Sequence, residues 1–420
     1  MALQERRPYD RDEARARYAE RRRREMEAER KRKERLQYQK EKREESKELA
    51  RGPIDLPFCL LVLLLTAIGL VMLLSASFPS AYYENSTNNN PAYYFLRQGF
   101  FAIVGVVAMF FAARWNYQRF RGLATPLLGM AILLLAAVLI PGVGITRNGA
   151  TRWLGFGDMF TFQPSEIAKI AVVIYFANSI SRKKERMRTF FGGIVPYAIW
   201  LCLIGGLVVM EPHLSGTILI LGAGAVLMLV GGINWGWVFA ALAAAAGGMY
   251  TLLFVIGYNT SRITYWHDPW ADLQGKGYQL AQSLISIGSG GLLGLGLGKG
   301  RQKFLYLPEE HNDFIFAVVC EELGFIGAGV IMLLFAALIL RGYWIALHAR
   351  DRFGSLLAVG FTTLIGMQTF LNIGVVTGLL PTTGISLPFF SYGGTALMIQ
   401  LAEMGIVLSV SRQMKPTKAG

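Results

Sequence analysis

The stretch LPFCLLVLLLTAIGLVMLLSA, residues 56–76, decides the fold class of this chain. It carries no charged side chain over its whole length, and about 18 such residues suffice for a helix that spans a membrane. It is too long, and begins too far along the chain, for a cleavable signal peptide. We therefore interpret it as the first of a series of membrane-spanning helices.

Similar apolar windows recur along the 420 residues, of which 53% are hydrophobic. This pattern predicts an all-α polytopic membrane protein with about ten transmembrane helices. The predicted spans are residues 55–77, 94–113, 122–141, 163–180, 191–210, 215–233, 238–257, 312–340, 354–376 and 392–411.

Basic residues are concentrated in the connections that fall on one side of this ten-span arrangement. They are RWNYQRFR (114–121), RKKERMR (182–188), RGYWIALHARDR (341–352) and the two ends of the chain. The positive-inside rule makes that side cytoplasmic, so both termini are predicted to be cytoplasmic. The predicted outer segments are then residues 78–93, 141–162, 211–214, 258–311 and 377–392.

Charge also suggests the division into domains. Residues 1–52 hold 19 of the 42 basic and 13 of the 28 acidic residues, mixed at helical spacing, which favours a solvated cytoplasmic helix. We interpret this tail as a topology signal, with docking to a cytosolic partner or anionic lipid as the alternative. No fold able to read bases follows, so nucleic acid is not an expected partner. Residues 53–411 form the predicted membrane domain and residues 412–420 a cytoplasmic end.

The large outer loop between spans seven and eight, residues 258–311, contains the polar stretch WHDPWADLQGKGYQ. Asp268 precedes a proline and is expected to start a turn. Asp272 lies among aromatic and glycine residues, close in sequence to Arg262 and Lys276, in a setting that suits a general base. The glycine-rich stretch that follows lacks the Ser or Thr of a P-loop. It is predicted to be a re-entrant or interfacial segment with close backbone packing.

Charged residues also fall within the predicted spans, and two pairs of them stand out. Glu166 and Lys169 share one helix face at the start of span four, and Glu321 and Glu322 interrupt span eight. Such residues cost about 2.5–3.5 kcal/mol each on insertion scales, so they should face the bundle interior or a wet cavity. Internal pairing and a role toward a substrate are both open for them.

The last outer loop, NIGVVTGLLPTTGISLPFFSYGGTA (372–396), resembles the signature of the SEDS family (shape, elongation, division and sporulation), which includes FtsW, RodA and SpoVE. Further resemblances are NGATRWL (148–154), QPSEIAK (163–169), GKGYQLAQSLISIGSGG (275–291) and YLPEEHNDFIFAVVCEELG (306–324). Together with the ten spans they cover nearly all of residues 53–411. The pair Gln302 and Lys303 resembles the FtsW/SpoVE branch more than the RodA branch.

The resemblance implies a peptidoglycan glycosyltransferase of the bacterial cytoplasmic membrane. Such enzymes polymerise lipid II, an undecaprenyl-pyrophosphate-linked disaccharide pentapeptide, at the outer face of the membrane during division or sporulation. The partners it implies are a class B penicillin-binding protein transpeptidase and divisome or sporulation septal proteins. Two other functions stay open. A lipid II flippase would depend on Lys169, Glu321 and Glu322 more than on Asp272, and a non-enzymatic scaffold would depend on no outer carboxylate.

The aspartate motif of the family, similar to DPxGxGYQ, reads DLQGKGYQ in this chain, so the resemblance places the catalytic role on Asp272. Asp268, in DPW, is the competing alignment. Leu273 replaces the usual proline, His213 stands where an aspartate is common, and Asn312 where a threonine is usual. Transfer from an α-linked pyrophosphate to a β-linked product is a single inverting displacement. It needs one general base on the acceptor hydroxyl and positive charge near the leaving group.

The predicted substrate-binding residues are basic groups of the outer loops, the charged pair of span four and the serine of the SYGG motif. They are Arg152, Arg262, Lys276, Glu166, Lys169 and Ser391. The arginines present a planar fork that matches phosphate oxygens. The sequence makes no cofactor certain, since either cations or a metal would neutralise the charge of the leaving group. A divalent metal ion, Mg²⁺ or Mn²⁺, stays open, although no set of ligands stands out in the sequence.

Overall fold

A computed structural model describes residues 52–414 apart from 148–149, 157–159, 235, 238, 241–242, 244–246 and 248–259, together with residues 21, 22, 26, 27, 29, 30, 33, 36 and 37. The side chains of residues 260–263 also lie outside this description. The chain divides into two compact units, Met1–Gly52 and Pro53–Gly420. Apart from Gly52, the described residues of the first unit are helical and exposed, and Lys33 pairs with Glu29, one turn earlier, at 2.9 Å.

The described part of the second unit is built mainly of helices. They are α1 (Leu56–Tyr83), α2 (Tyr93–Arg114), α3 (Phe120–Val138), α4 (Pro164–Lys183), α5 (Val195–Met210), α6 (Leu214–Val230), α7 (Thr260–His267), α8 (Tyr278–Gly290), α9 (Ile315–Leu347), α10 (Arg352–Val376) and α11 (Gly394–Ser411). Among the described residues, seven helices are long and apolar enough to cross a membrane: α1, α2, α9, α10, α11, and the helical stretches Tyr117–Val138 and Phe190–Met210.

Helices of the described chain coincide with nine of the ten predicted spans, and residues 238–257 lie mostly outside the description. Two of these nine helices are not among the seven that are long and apolar enough to cross a membrane. Helix α6 is only 17 residues long, and α4 carries four charged residues within its 20. The prediction of a helical polytopic membrane protein is confirmed, and the count of ten spans stays a prediction.

The exposure of apolar side chains identifies the surface that faces lipid. Helices α10 and α11 are mostly buried, whereas the helices around them leave large apolar residues exposed, among them Ile103 (69%), Leu133 (72%) and Leu333 (70%). Continuous apolar exposure on several long helices suits hydrocarbon rather than water. The chain is therefore a multi-pass membrane protein.

A small antiparallel sheet occupies residues 141–162, which the sequence analysis treated only as an outer loop. Strand β2 (Ala150–Phe156) lies between β1 (Ile145–Arg147) and β3 (Phe160–Phe162). Alternate residues of β2 point to one face, where Ala150 and Leu154 are buried. Arg152 lies between them on that face, so the sheet directs its side chain toward the helices.

Helix α9 is kinked at Gly324, whose φ of 66° lies in the left-handed region. The carbonyls of Glu321 and Glu322 accept hydrogen bonds from the backbone N–H groups of Leu295 and Gly296, each at 3.0 Å. The glycine-rich stretch after α8 thus packs its backbone directly on the kink, which confirms the predicted close backbone packing.

Glu321 and Glu322 are both buried, and their carboxylates are bound inside the protein. Glu321 accepts hydrogen bonds from the N–H groups of Arg301 (2.7 Å) and Gln302 (3.3 Å). Glu322 accepts from the Nζ of Lys303 at 2.6 Å, as well as from backbone N–H groups and from Ser75 of α1. These contacts favour internal pairing over a role toward the substrate.

Candidate functional site

A polar cavity of about 890 Å³ lies where the predicted outer segments meet. Each of the five segments contributes to its lining, for example through Glu84, Arg152, His213, His311 and Tyr392. The sequence placed these segments on one side of the membrane from charge alone. Their convergence on one cavity agrees with that arrangement.

Arg152 reaches the cavity from strand β2 and is also part of the scaffold. Its Nε donates to the carbonyl oxygen of Glu211 at 3.2 Å, and a second guanidinium N–H donates to the carbonyl of Pro212. These bonds attach the sheet to the turn between α5 and α6. The predicted cationic residue is therefore held in a fixed orientation at the cavity wall.

Glu166 and Lys169 lie at the start of α4 and line the same cavity. The Nζ of Lys169 is 2.8 Å from a carboxylate oxygen of Glu166, and both side chains are almost fully buried. The predictions that they share one helix face, and that they face a cavity, are confirmed.

His213 lies in the α5–α6 turn, at the position where the family resemblance led us to expect an aspartate. Burial, together with the positive charges of Arg152 and Lys169, lowers the pKa of His213 to about 3, so its imidazole is neutral. The amide nitrogen of Gln163 is 3.1 Å from Nδ1. Because that nitrogen donates, Nδ1 accepts and the ring proton is on Nε2. A neutral ring thus replaces a carboxylate in the cavity wall.

Glu211, in the same turn, is fully buried. Neither of its carboxylate oxygens has a hydrogen-bond partner among the described residues. Burial raises the pKa of Glu211 to about 8, although the nearby charge of Arg152 opposes the shift. The carboxyl group is therefore protonated at neutral pH and adds no negative charge beside Arg152.

The segment before α9 places Asp313 at the cavity. Residues 372–396, the family-signature loop, hold this segment by hydrogen bonds to three successive backbone carbonyls. The backbone N–H of Tyr392 donates to the carbonyl of His311 at 2.9 Å, and the hydroxyl of Ser391 donates to that of Asn312 at 2.7 Å. The side-chain amide of Asn372 donates to the carbonyl of Asp313 at 2.7 Å. The signature residues therefore position the cavity wall.

Asp313, which was not among the residues predicted from the sequence, lines the cavity and is half-buried. Burial and the neighbouring carboxylate of Glu309 raise the pKa of Asp313 to about 6, and Arg152 and His311 oppose the shift. The available signal was a carboxylate at the start of the predicted span 312–340, in EEHNDFIF. Its position in the cavity depends on the distant signature loop, which the sequence does not connect to it.

Asp272 ends a short 3₁₀ turn, Pro269–Asp272, in the outer loop. Asp268 caps this turn by accepting the N–H of Trp270 at 3.1 Å, which confirms its predicted role in a turn. A carboxylate oxygen of Asp272 accepts the N–H of Lys276 at 3.0 Å. A Cβ added to Gly275 would lie 2.4 Å from that same oxygen, so the glycine of the motif leaves room for the carboxylate.

The structure brings together only some of the predicted site residues. Of the described residues, those lining the cavity include Arg152, Glu166 and Lys169 but not Asp272, Lys276 or Ser391. The Ser391 hydroxyl is engaged within the fold, since it also accepts the N–H of Leu387 at 2.7 Å. Helix α8, which follows the Asp272 motif, contributes Gln279 to the cavity lining. The side chain of Arg262 lies outside the described residues.

Within the described ranges, no three His, Cys, Asp or Glu side chains converge in a way that could hold a metal ion. Cationic side chains at the cavity are able to neutralise an anion. Arg152 and Lys169 are supplied by the sheet and by α4, and Arg97 is supplied by α2.

Comparison with known proteins shows similarity over nearly the whole membrane unit. Residues 56–416 match the model of the FTSW_RODA_SPOVE family, described as cell cycle protein. The "Probable peptidoglycan glycosyltransferase FtsW" of Geobacter metallireducens is 43% identical over 373 residues, 88% of this chain and 97% of that protein. Stage V sporulation protein E of Bacillus subtilis is 43% identical over 360 residues, 85% of this chain and 97% of that protein.

Two solved structures share the architecture. One, described as "Structural coordination of polymerization and crosslinking by a peptidoglycan synthase complex", is 30% identical with a TM-score of 0.72, covering 86% of this chain and 98% of its own. The other, the rod shape determining protein RodA of Thermus thermophilus, is 29% identical with a TM-score of 0.64, covering 87% and 99%.

Proposed function

This chain belongs to the cell cycle protein family of FtsW, RodA and SpoVE, and we propose that it polymerises lipid II at the outer face of the bacterial cytoplasmic membrane. Like its curated relatives, it is a peptidoglycan glycosyltransferase. The FtsW and SpoVE relatives share 43% of residues with it and the RodA structure 29%, which agrees with the predicted FtsW/SpoVE branch. The observation that carries the proposal is the polar cavity built from all five predicted outer segments.

The cavity offers polar and cationic side chains to the head group of such a substrate. Its volume of about 890 Å³ lies within the usual range of small-molecule sites. Arg152 and Lys169 supply positive charge for the pyrophosphate, and Glu166 limits the net charge by pairing with Lys169. Cationic groups positioned in a site with little water stabilise developing anionic charge strongly. The prenyl tail would remain in the apolar surroundings between the helices.

In the proposed reaction, Asp272 is the general base. Its carboxylate accepts the proton of the acceptor sugar 4-hydroxyl while that oxygen attacks the anomeric carbon of the donor. The bond from that carbon to the pyrophosphate oxygen breaks, and undecaprenyl pyrophosphate leaves with the electron pair. The proposed cations for the leaving group are Arg152 and Lys169 of the cavity, together with Arg262 and Lys276 of the outer loop. Ser391 holds the cavity wall through Asn312.

The proposed partners follow from the relatives. One related solved structure concerns a complex that coordinates polymerization and crosslinking. For this chain we propose a class B penicillin-binding protein transpeptidase, which would crosslink the new glycan, together with divisome or sporulation septal proteins. In this arrangement both termini are cytoplasmic, and the basic tail is available to cytosolic partners or anionic lipid.

The orientation predicts the outcome of cysteine labelling. In a background lacking Cys59, Cys202 and Cys320, Leu273→Cys should react with a membrane-impermeant thiol reagent in intact cells, whereas Arg186→Cys should not. Both positions are exposed, so access to the reagent depends on the side of the membrane. Permeabilised cells serve as the control, in which both should react. Labelling at position 186 alone in intact cells would reverse the proposed topology.

The cavity proposal predicts the effect of replacing Arg152. Arg152→Ala should raise the lipid II concentration needed for half-maximal polymerisation roughly tenfold or more, and Arg152→Lys should recover only part of it, because lysine lacks the planar fork. The matched control is Arg301→Ala, an exposed arginine outside the cavity. If Arg152→Ala lowers Tm but leaves the concentration dependence unchanged, Arg152 only attaches the sheet to the Glu211–Pro212 turn.

A further inference from the structure

Asp313 is a carboxylate at the cavity that lies outside the family's aspartate motif. It precedes α9, lines the cavity and is half-buried. Within the described part of the chain, no hydrogen bond or ion pair engages its carboxylate, although its backbone carbonyl is bound by Asn372. The carboxylate can therefore accept a hydrogen bond from a ligand that enters the cavity.

The backbone around Asp313 is fixed from two sides. The signature loop and α10 bind the carbonyls of His311, Asn312 and Asp313, as described above. Gly384 of the same loop has a φ of 69°, and a Cβ there would lie 3.2 Å from a carboxylate oxygen of Asp313. The loop therefore approaches the carboxylate without a side chain and leaves its position relative to the cavity well defined.

The charges of the cavity indicate which part of a substrate this carboxylate would meet. A pyrophosphate is repelled by Asp313 and attracted by Arg152 and Lys169. The sugars of a lipid-linked disaccharide instead offer neutral donors, namely hydroxyl groups and amide N–H groups. Resting on the proposed function, we propose that Asp313 binds the sugar part of lipid II by accepting a hydrogen bond from such a donor, and that it does so in its ionised form.

The charges around Asp313 set the pH at which this bond is available. Glu309, on the same segment, favours protonation, and Arg152 of β2 and His311 oppose it. Helix α10 and the signature loop present Asn372 and Gly384, which are uncharged. With burial as the largest cause, the pKa is raised to about 6. The ionised acceptor is therefore present above that pH and lost as the pH falls through it, so kcat/KM for lipid II should decline below about pH 6.

The test compares Asp313→Asn with the wild-type protein in polymerisation of purified lipid II. The expected result is a KM raised roughly 10- to 100-fold, as for loss of a charge-assisted hydrogen bond, with a smaller change in kcat. The decline of kcat/KM below about pH 6, called the acid limb, should disappear in this variant and remain in Asp313→Glu. The matched control is Glu310→Gln, which changes the adjacent segment at a buried acid outside the cavity and should leave the acid limb in place.

Binding of lipid II without turnover separates this inference from the proposed function. If the wild-type protein binds lipid II but forms no polymer, the proposed function fails, while weaker binding by Asp313→Asn still supports the role of Asp313. An unchanged affinity and an unchanged acid limb in Asp313→Asn overturn that role even in an active polymerase. Tm of each variant in detergent shows whether its fold is intact, and loss of the limb in Asp313→Asn but not in the equally stable Asp313→Glu supports the proposal.

Discussion

Replacing Asp272 by asparagine is expected to slow glycan polymerisation about 100-fold or more, because the change removes the proton acceptor of the transfer step. Asparagine keeps the size of the side chain, and its carbonyl oxygen can still accept the N–H of Lys276. The substitution creates no cavity and no buried unpaired charge, so folding and lipid II binding should persist. The measurement is gel-resolved glycan formed from purified lipid II.

The control for this prediction is Asp268→Asn, four residues earlier on the same turn. Asp268 caps the Pro269–Asp272 turn through Trp270, and asparagine is an equally good cap, so polymerisation should change little. The amount of each variant in the membrane, and its co-purification with the transpeptidase partner, would show that both variants are intact. Near-normal polymer from Asp272→Asn together with loss in Asp268→Asn would move the base to Asp268. If both variants form near-normal amounts of polymer, neither Asp268 nor Asp272 is the general base.

Replacing Lys303 by methionine is expected to lower the free energy of unfolding by about 3–5 kcal/mol, since it leaves the buried carboxylate of Glu322 without its charge partner. The ammonium of Lys303 also donates to Ser75 at 2.9 Å, so the change removes one contact of the outer loop with α9 and one with α1. The measurement is the unfolding midpoint of the purified protein in detergent.

A double-mutant cycle makes this second prediction specific. Adding Glu322→Gln to Lys303→Met removes the unpaired charge and should recover part of the lost stability. Lys299→Met, an exposed lysine on the same glycine-rich segment, should have little effect. If Lys303→Met is as stable as the wild type, the buried pair is not what holds the loop to the kink of α9.

The features that the sequence predicted well depend on short-range patterns. The apolar window of residues 56–76 predicts α1 because length and apolarity alone determine whether a helix can cross a membrane. Glu166 and Lys169 are predicted to share a face because they are three residues apart on a helix, and they do. The turn at Asp268 follows from the residue and the proline after it.

The features that the sequence did not predict depend on contacts between distant segments. Strand β2 has only seven residues, a weak signal beside long apolar helices. The position of Asp313 depends on Asn372, 59 residues later, and on the signature loop beyond it. For Ser391, the motif resemblance suggested contact with the substrate, whereas its hydroxyl is bonded to Asn312 and Leu387. Pairings of this kind are set by the packing of the helices and not by local sequence.

The central claim is that this chain itself joins lipid II molecules into glycan. The most direct test incubates the purified wild-type protein with purified lipid II, with and without its transpeptidase partner, and separates the products by gel electrophoresis. We expect a ladder of glycan polymer that is lost in Asp272→Asn. Absence of polymer under both conditions, from protein that is folded and moves lipid II across vesicle membranes, would contradict the account and favour a flippase.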